Sequence, residues 1–287
     1  MRIGCHWVLL FLLLLMAANR RCCAQGNSNA VATDPLPDPD QLMKRAQENQ
    51  NKIAEELERY ECRVNDQWVE LDPKGNIKRT KTEIDDQFYV NGVAIRRVLS
   101  KDGKDLTSEE TDKENSRVMK ETATYSNRAA AQKELNKYQQ QMEEVLAAVI
   151  LTNGRRENEN GRSILQYDIV PNRTIQARNL IQHFVQAMQG RIVIDEKTGE
   201  MIDLDLRSTK DVKIGGGILA VLHKGFWMHV HNQVQPDGVW LTDLAEGSGD
   251  ARAALFFHPR VQFKEITDNC HLYSVTANQV GPARTVK

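Results

Sequence analysis

Beyond its first 24 positions the 287-residue chain has no apolar run approaching the roughly 20 residues that a membrane-spanning helix needs. It lacks a G-x-S-x-G nucleophile motif and an H-E-x-x-H zinc motif, so the two commonest hydrolytic signatures are missing. It also lacks an excess of positive charge. After residue 24 there are 35 basic and 39 acidic residues, a net charge of -4, and nothing in that balance attracts nucleic acid or an anionic membrane. Cysteine is scarce as well, with only Cys62 and Cys270 beyond the opening stretch, and no internal repeat is evident. These absences point away from an enzyme, a metalloprotein or a cofactor-dependent protein, and toward architecture.

The opening residues do have a recognisable pattern. In MRIGCHWVLLFLLLLMAANRRCCAQ, Arg2 precedes an apolar run from Val8 to Ala18 and small residues end at Ala24, the layout of a secretory signal peptide cleaved after Ala24. Neither Cys22 nor Cys23 follows the residues that a lipoprotein signal places before its lipidated cysteine, which argues against a lipid anchor. Residues 25–39, with three prolines among Asn, Ser and Ala, read as a flexible leader. About 263 residues would remain after cleavage, enough for one β-rich domain with a substantial core. In an oxidising compartment Cys62 and Cys270 are candidates for a disulfide between the first and last strands, the alternative being two buried free thiols.

Leu42, Ala46, Ile53 and Leu57 recur at helical spacing and predict an amphipathic helix over residues 40–59. Period-two patterning then takes over in Tyr60–Leu71, in the segment ending at Val90 and in Val93–Lys101, separated by Asp72–Asn76 and Asn91-Gly92. Such short turns allow only antiparallel pairing. Thr107-Ser108-Glu109-Glu110 is a capping box that opens a polar helix. Leu135, Tyr138, Met142, Val145 and Val149 predict a second helix, ended by a left-handed cap at Asn153-Gly154, with a break near Ser126. A strand over Ser163–Val170 stops at Pro171, and Thr174–Met188 is weakly patterned and partly helical. Further short strands follow, punctuated by Gly225, Pro236-Asp237-Gly238, Gly247-Ser248-Gly249 and Pro259. The last two are expected over Val261–Ile266 and Cys270–Val275, before a tail over residues 277–287.

The clearest alternation lies in the expected hairpin Gly190–Arg207. Ile202, Leu204 and Leu206 point to one side, with Asp203, Asp205 and Arg207 on the other. With Ile192, Ile194, Phe226, Met228 and Val230 they form a candidate apolar face. Other motifs yield to simpler readings. The glycines at 215–217 match part of a dinucleotide fingerprint but have no room for the required helix before Gly225, so they read as a bend. His229 and His231 alternate with the apolar Met228 and Val230 and so lie on the outer face; with His223 they have no carboxylate or cysteine beside them at ligand spacing. Asp195, Asp203 and Asp205 are expected on the solvated side of the hairpin as unperturbed carboxylates.

Taken in order, a signal, a first helix, strands joined by Asp-Gly and Asn-Gly turns, a helical insertion, and the segments GRIVIDEKTGEMIDLDL, GGGILAVLHKGFWMHV and DGVWL resemble exported bacterial proteins related to the periplasmic lipoprotein carriers of the Lol system. The wider superfamily includes an envelope-stress sensor. The resemblance implies an α+β fold, an unclosed antiparallel β-barrel curled around amphipathic helices, covering most of residues 40–276 with a helical insertion at about 107–151. It also implies residence in the periplasm or envelope of a Gram-negative-type bacterium, and a concave face that receives lipid or lipoprotein acyl chains. The polar stretch Thr107–Ser126 departs from the well-studied carriers, and no gating residue maps onto this chain. The expectation is thus a non-enzymatic lipid or acyl-chain carrier. Its rival is a sensor or protein-interaction module whose half-barrel is filled by its own helices and whose partner is another envelope protein.

Overall fold

The computed structural model describes residues 35–38, 41, 42, 45, 56–214, 220–253 and 259–272. The expected signal peptide, most of the leader, the bend at 215–217 and the tail at 277–287 lie outside the described residues. So does most of the expected helix over 40–59, of which Gln41, Leu42, Arg45, Glu56 and Leu57 are described as helical and Glu58 and Arg59 as a turn.

Three long strands come first, β1 (Tyr60–Leu71), β2 (Ile77–Val90) and β3 (Val93–Lys101). Asp72 makes the first turn possible, its Oδ1 accepting hydrogen bonds from the amides of Lys74 and Asn76 at 2.8 Å each. A two-residue strand, β4 (Lys104–Asp105), leads into helix α1 (Ser108–Tyr125) and helix α2 (Arg128–Ala147). Thr107 caps α1 with the expected capping box, and Asn127 caps α2 by accepting from the amides of Ala129 and Ala130. The chain then returns to strands with β5 (Val149–Glu159) and β6 (Arg162–Pro171), followed by a short helix α3 (Leu180–Val185). Seven more strands complete it: β7 (Met188–Asp195), β8 (Met201–Ser208), β9 (Val212–Ile214), β10 (Ala220–Leu222), β11 (Trp227–Val234), β12 (Trp240–Ala253) and β13 (Arg260–Leu272).

All of the strand pairings are antiparallel. The main order is β4-β3-β2-β1-β13-β12-β11-β8-β7-β6-β5, with β10 pairing the far end of β12 and β9 pairing β10. Among the described residues no ladder joins the outer strands β4 and β5, so the sheet is an unclosed half-barrel. Register shifts interrupt six of its ladders, and such bulges increase local bend and twist. Helices α1 and α2 run from the β4 edge to the β5 edge, and α2 touches both β3 and β5, so they cross the open side.

Three expectations change. Asn153-Gly154 does not end a helix: α2 stops at Ala147, and the run Val149-Ile150-Leu151-Thr152, with three β-branched residues, enters β5. Asn153 is indeed left-handed, at φ 52°, but as the extra residue of a bulge between Thr152 and Arg155. Gly247-Ser248-Gly249 is not a loop but the middle of β12. A Cβ on Gly247 would lie 2.6 Å from Cε1 of Phe263, and one on Gly249 would lie 2.6 Å from Cδ2 of Phe226. These glycines are seats for aromatic rings, not turn residues. The expected gap between Ile266 and Cys270 is likewise continuous strand within β13.

Candidate functional site

In an antiparallel ladder directly opposed residues share a face, so the registers trace rows of side chains across the sheet. One row on the inner face runs Tyr167, Ile192, Leu204, Val230, Ala245, Glu265, Asp66. A parallel row runs Ile169, Gly190, Leu206, Met228, Gly247, Phe263, Trp68. The two rows are apolar from β6 to β12. On β13 and β1 one becomes acidic and the other aromatic.

The apolar half is buried. Ile192, Ile194, Leu204, Leu206, Met228 and Val230 belong to one core cluster, with Leu204 and Val230 fully buried and Phe226 packed against it. Ile202 falls outside this cluster. A bulge opposes Ile194 to Met201 and Val193 to Asp203, which leaves Ile202 as the extra residue and sends Met201 into the core in its place. The perfect period two of Ile202, Leu204 and Leu206 is therefore broken at its first member, and sequence carries no signal for that bulge.

What covers the apolar half comes from outside the sheet. Val145 and Ala148 at the end of α2, Val185 of α3 and Leu42 share the cluster, with Met142, Ile181 and Phe184 beside it. The ring of Phe184 meets that of Phe226 edge-on at 5.7 Å. Asn179 ties α3 to α2, its Nδ2 donating to Oε2 of Glu144 at 2.5 Å while its own Oδ1 accepts from the amide of Gln182. Leu36 and the ring of Tyr167 both crowd Gly154, and Arg45 donates to the carbonyl of Glu196 at 2.9 Å.

The polar half of the inner face is equally withdrawn from solvent. The guanidinium of Arg96 on β3 donates to Asp66 of β1 at 3.1 Å, Glu265 of β13 at 2.9 Å and Gln87 of β2 at 3.0 Å. Asp85 of β2 lies in the same region, 3% exposed, and its Oδ1 has no hydrogen-bond partner among the described residues. Burial, reinforced by the charge of Glu83, pushes the Asp85 carboxyl up to about 7. Burial also raises Asp66, the charge of Glu265 adding to it and Arg96 opposing. Two residues further along β1 and β13, Trp68 and Phe263 stack at 6.3 Å. None of these polar residues stands out in the sequence, because Asp66, Asp85, Arg96 and Glu265 come from four strands that only the sheet order brings together.

On the outer face His229 lies between two carboxylates, Nδ1 2.8 Å from Asp205 and Nε2 3.4 Å from Asp203. His231 pairs with Asp243 at 2.6 Å. Asp203 and Asp205 are perturbed, contrary to expectation. Burial raises Asp203, whereas at Asp205 burial is outweighed by hydrogen bonds from Arg191 and His229, which hold it low. Asp195 is buried instead of solvated, its Oδ1 accepting from the amides of Lys197 and Thr198 to close the β7–β8 turn. Among the described residues no group of His, Cys, Asp and Glu is arranged to hold a metal ion, and no helix is long and apolar enough to cross a membrane. Cys62 and Cys270 face each other across the β1–β13 ladder, Cα atoms 4.1 Å apart and sulfurs at bonding distance.

The fold and the inner face define a class: an unclosed antiparallel half-barrel whose apolar wall is roofed by helices. No family model matches the chain, and no curated protein does. Two solved structures are similar to it over most of its length. One, a DUF1329 family protein from Desulfovibrio piger, is 10% identical over 88% of this chain and 96% of its own, at a TM-score of 0.29. The other, MucB in complex with MucA(peri), is 9% identical over 82% of this chain and 99% of its own, at a TM-score of 0.21. At such scores neither likeness bears on what this chain does.

Proposed function

We propose that the protein is a non-enzymatic binder and carrier of lipid or lipoprotein acyl chains in the bacterial cell envelope, using the inner apolar rows as the wall against which a chain lies. The observation that carries this reading is the source of the roof. The wall belongs to a continuous sheet, whereas its cover comes from the last turns of α2, the six residues of α3 and Leu42. The first four turns of α2 are thinly anchored, with Ala131 their buried residue, while α1 is held to the edge of β3 through Glu114. Lifting the end of α2 and α3 would open the wall without breaking a ladder. Each methylene then buried contributes roughly 0.8 kcal/mol, so a hydrocarbon chain can compete with the side chains it displaces.

A second reading is favoured by the same contacts seen from the other side. Val145, Ala148 and Val185 already fill the wall, as a self-contained interaction or sensor module with a protein partner requires. Mass spectrometry of an organic extract of natively purified protein separates the two. Co-purified lipid, together with uptake of a fluorescent fatty acid, supports the carrier; neither signal leaves the interaction module as the reading.

A further inference from the structure

Resting on the acyl-chain reading, we infer that the polar half of the inner face is a subsite for an ammonium group, so that the preferred ligand is an amphiphile with a cationic head.

The charges are out of balance. Asp66, Asp85 and Glu265 crowd around one guanidinium, that of Arg96, whose three donating nitrogens go to Asp66, Glu265 and Gln87. That leaves Asp85, 3% exposed, with an oxygen that no group among the described residues satisfies. Of the charged groups that act on it most strongly, Glu83, Glu114 (itself paired with Arg117 at 2.6 Å) and Glu265 raise its pKa and Arg96 opposes them. A buried carboxylate without a partner is costly, and its cost falls when a cation or a proton arrives. Among the described residues no set of ligands is arranged for a metal ion, which favours an organic cation.

The aromatic pair supplies the second requirement. Trp68 and Phe263 stack on the same face, two residues from Asp66 and Glu265 respectively. Aromatic faces beside carboxylates are the chemistry that recognises alkylammonium groups. The geometry also gives the tail its place. From Glu265 on β13 the row continues through Ala245 and Val230 to Leu204, three ladder steps or about 14 Å at normal strand spacing. A head at Asp66 and Glu265, with Asp85 two residues along the same face opposite Val64, would therefore lay its alkyl tail along the apolar rows.

Isothermal titration of the full chain at pH 8 with dodecyltrimethylammonium, dodecanoate and dodecanol, each below its micelle concentration, tests this. We expect the ammonium amphiphile to bind about tenfold more tightly than the other two. That margin should shrink in Asp85→Asn, and in the unaltered protein as the pH falls below 7 and Asp85 takes up a proton. Equal binding of the three amphiphiles would overturn the ammonium subsite and leave the acyl-chain reading standing, with Asp85 neutralised by a proton alone. Binding of none would overturn both. The head-group comparison in the unaltered protein decides the matter even where Asp85→Asn fails to fold, and Asp66→Asn provides a second variant.

Discussion

Asp85 shows how much one residue's meaning depends on its neighbours. In sequence it is one of two adjacent aspartates in an ordinary strand, and alternation gives no hint that it is almost fully buried. Its carboxyl, pushed up to about 7, is favoured in its neutral form by the fold. An acid raised in the folded state contributes stability that is fully present below its unfolded pKa, about 4, and is lost as the pH rises through about 7. We therefore expect the urea midpoint to fall between pH 5 and pH 8 through Asp85, and Asp85→Asn, which cannot ionise, to flatten that fall. Urea titrations of both proteins at pH 5, 6.5 and 8 measure it, and parallel slopes would remove Asp85 from the account. Ile202 and Met201 make the same point for apolar residues. Alternation placed Leu204 and Leu206 inward together, but a bulge, which is a property of the β7–β8 pairing, exchanged Ile202 for Met201.

At the level of elements, α1 has a role that its polar composition conceals. Strand β4 is only two residues long and pairs with Ser100 and Lys101, so β3 would otherwise present an open edge, the usual template for association. Helix α1 covers it. Glu114 accepts the amide of Val98 at 2.9 Å, and Arg117, held by Glu114 and Glu121, donates to the carbonyl of Arg96. Glu114→Ala removes the acceptor for a buried amide and should cost about 1–3 kcal/mol. It should also increase self-association, readable by denaturant titration and light scattering; an unchanged midpoint would show that the edge needs no such cover. The β1–β13 ladder holds the second test. Cys62 and Cys270 are 208 residues apart in sequence, so a bridge between them would restrict most of the unfolded chain. Replacing both with alanine is expected to cost about 2–5 kcal/mol. In a chain that starts at Gln25, and so lacks Cys5, Cys22 and Cys23, alkylation without reductant should add no mass, whereas two alkylated thiols would show that no bridge forms.

At the level of the whole molecule, the sheet and its roof should differ in local stability. Ladders β7–β8 and β8–β11 carry fully buried side chains, while the first turns of α2 expose most of theirs. Amide exchange by mass spectrometry is expected to be fastest in α1 and α2 and slowest in β7, β8 and β11, because opening free energy follows buried contact. Dodecyltrimethylammonium should change exchange at the end of α2 and in α3 before it changes the sheet. Uniform exchange across helices and strands would argue for a roof that does not lift.

The chain by itself determined most of the elements: the strands at 60–71 and 93–101, the capping box at Thr107, the junction near Ser126, and inward Leu204, Leu206, Met228 and Val230. These follow from period and local turn chemistry, which act over a few residues and can be read one segment at a time. Tertiary structure decided the rest. The bulge at Ile202, the ring seats at Gly247 and Gly249, the entry of Val149 into a strand, and the meeting of Asp66, Asp85, Arg96 and Glu265 depend on which strand lies beside which. Pairing between positions as far apart as 66 and 265 is a long-range choice, settled by burial over the whole sheet and not by any local pattern.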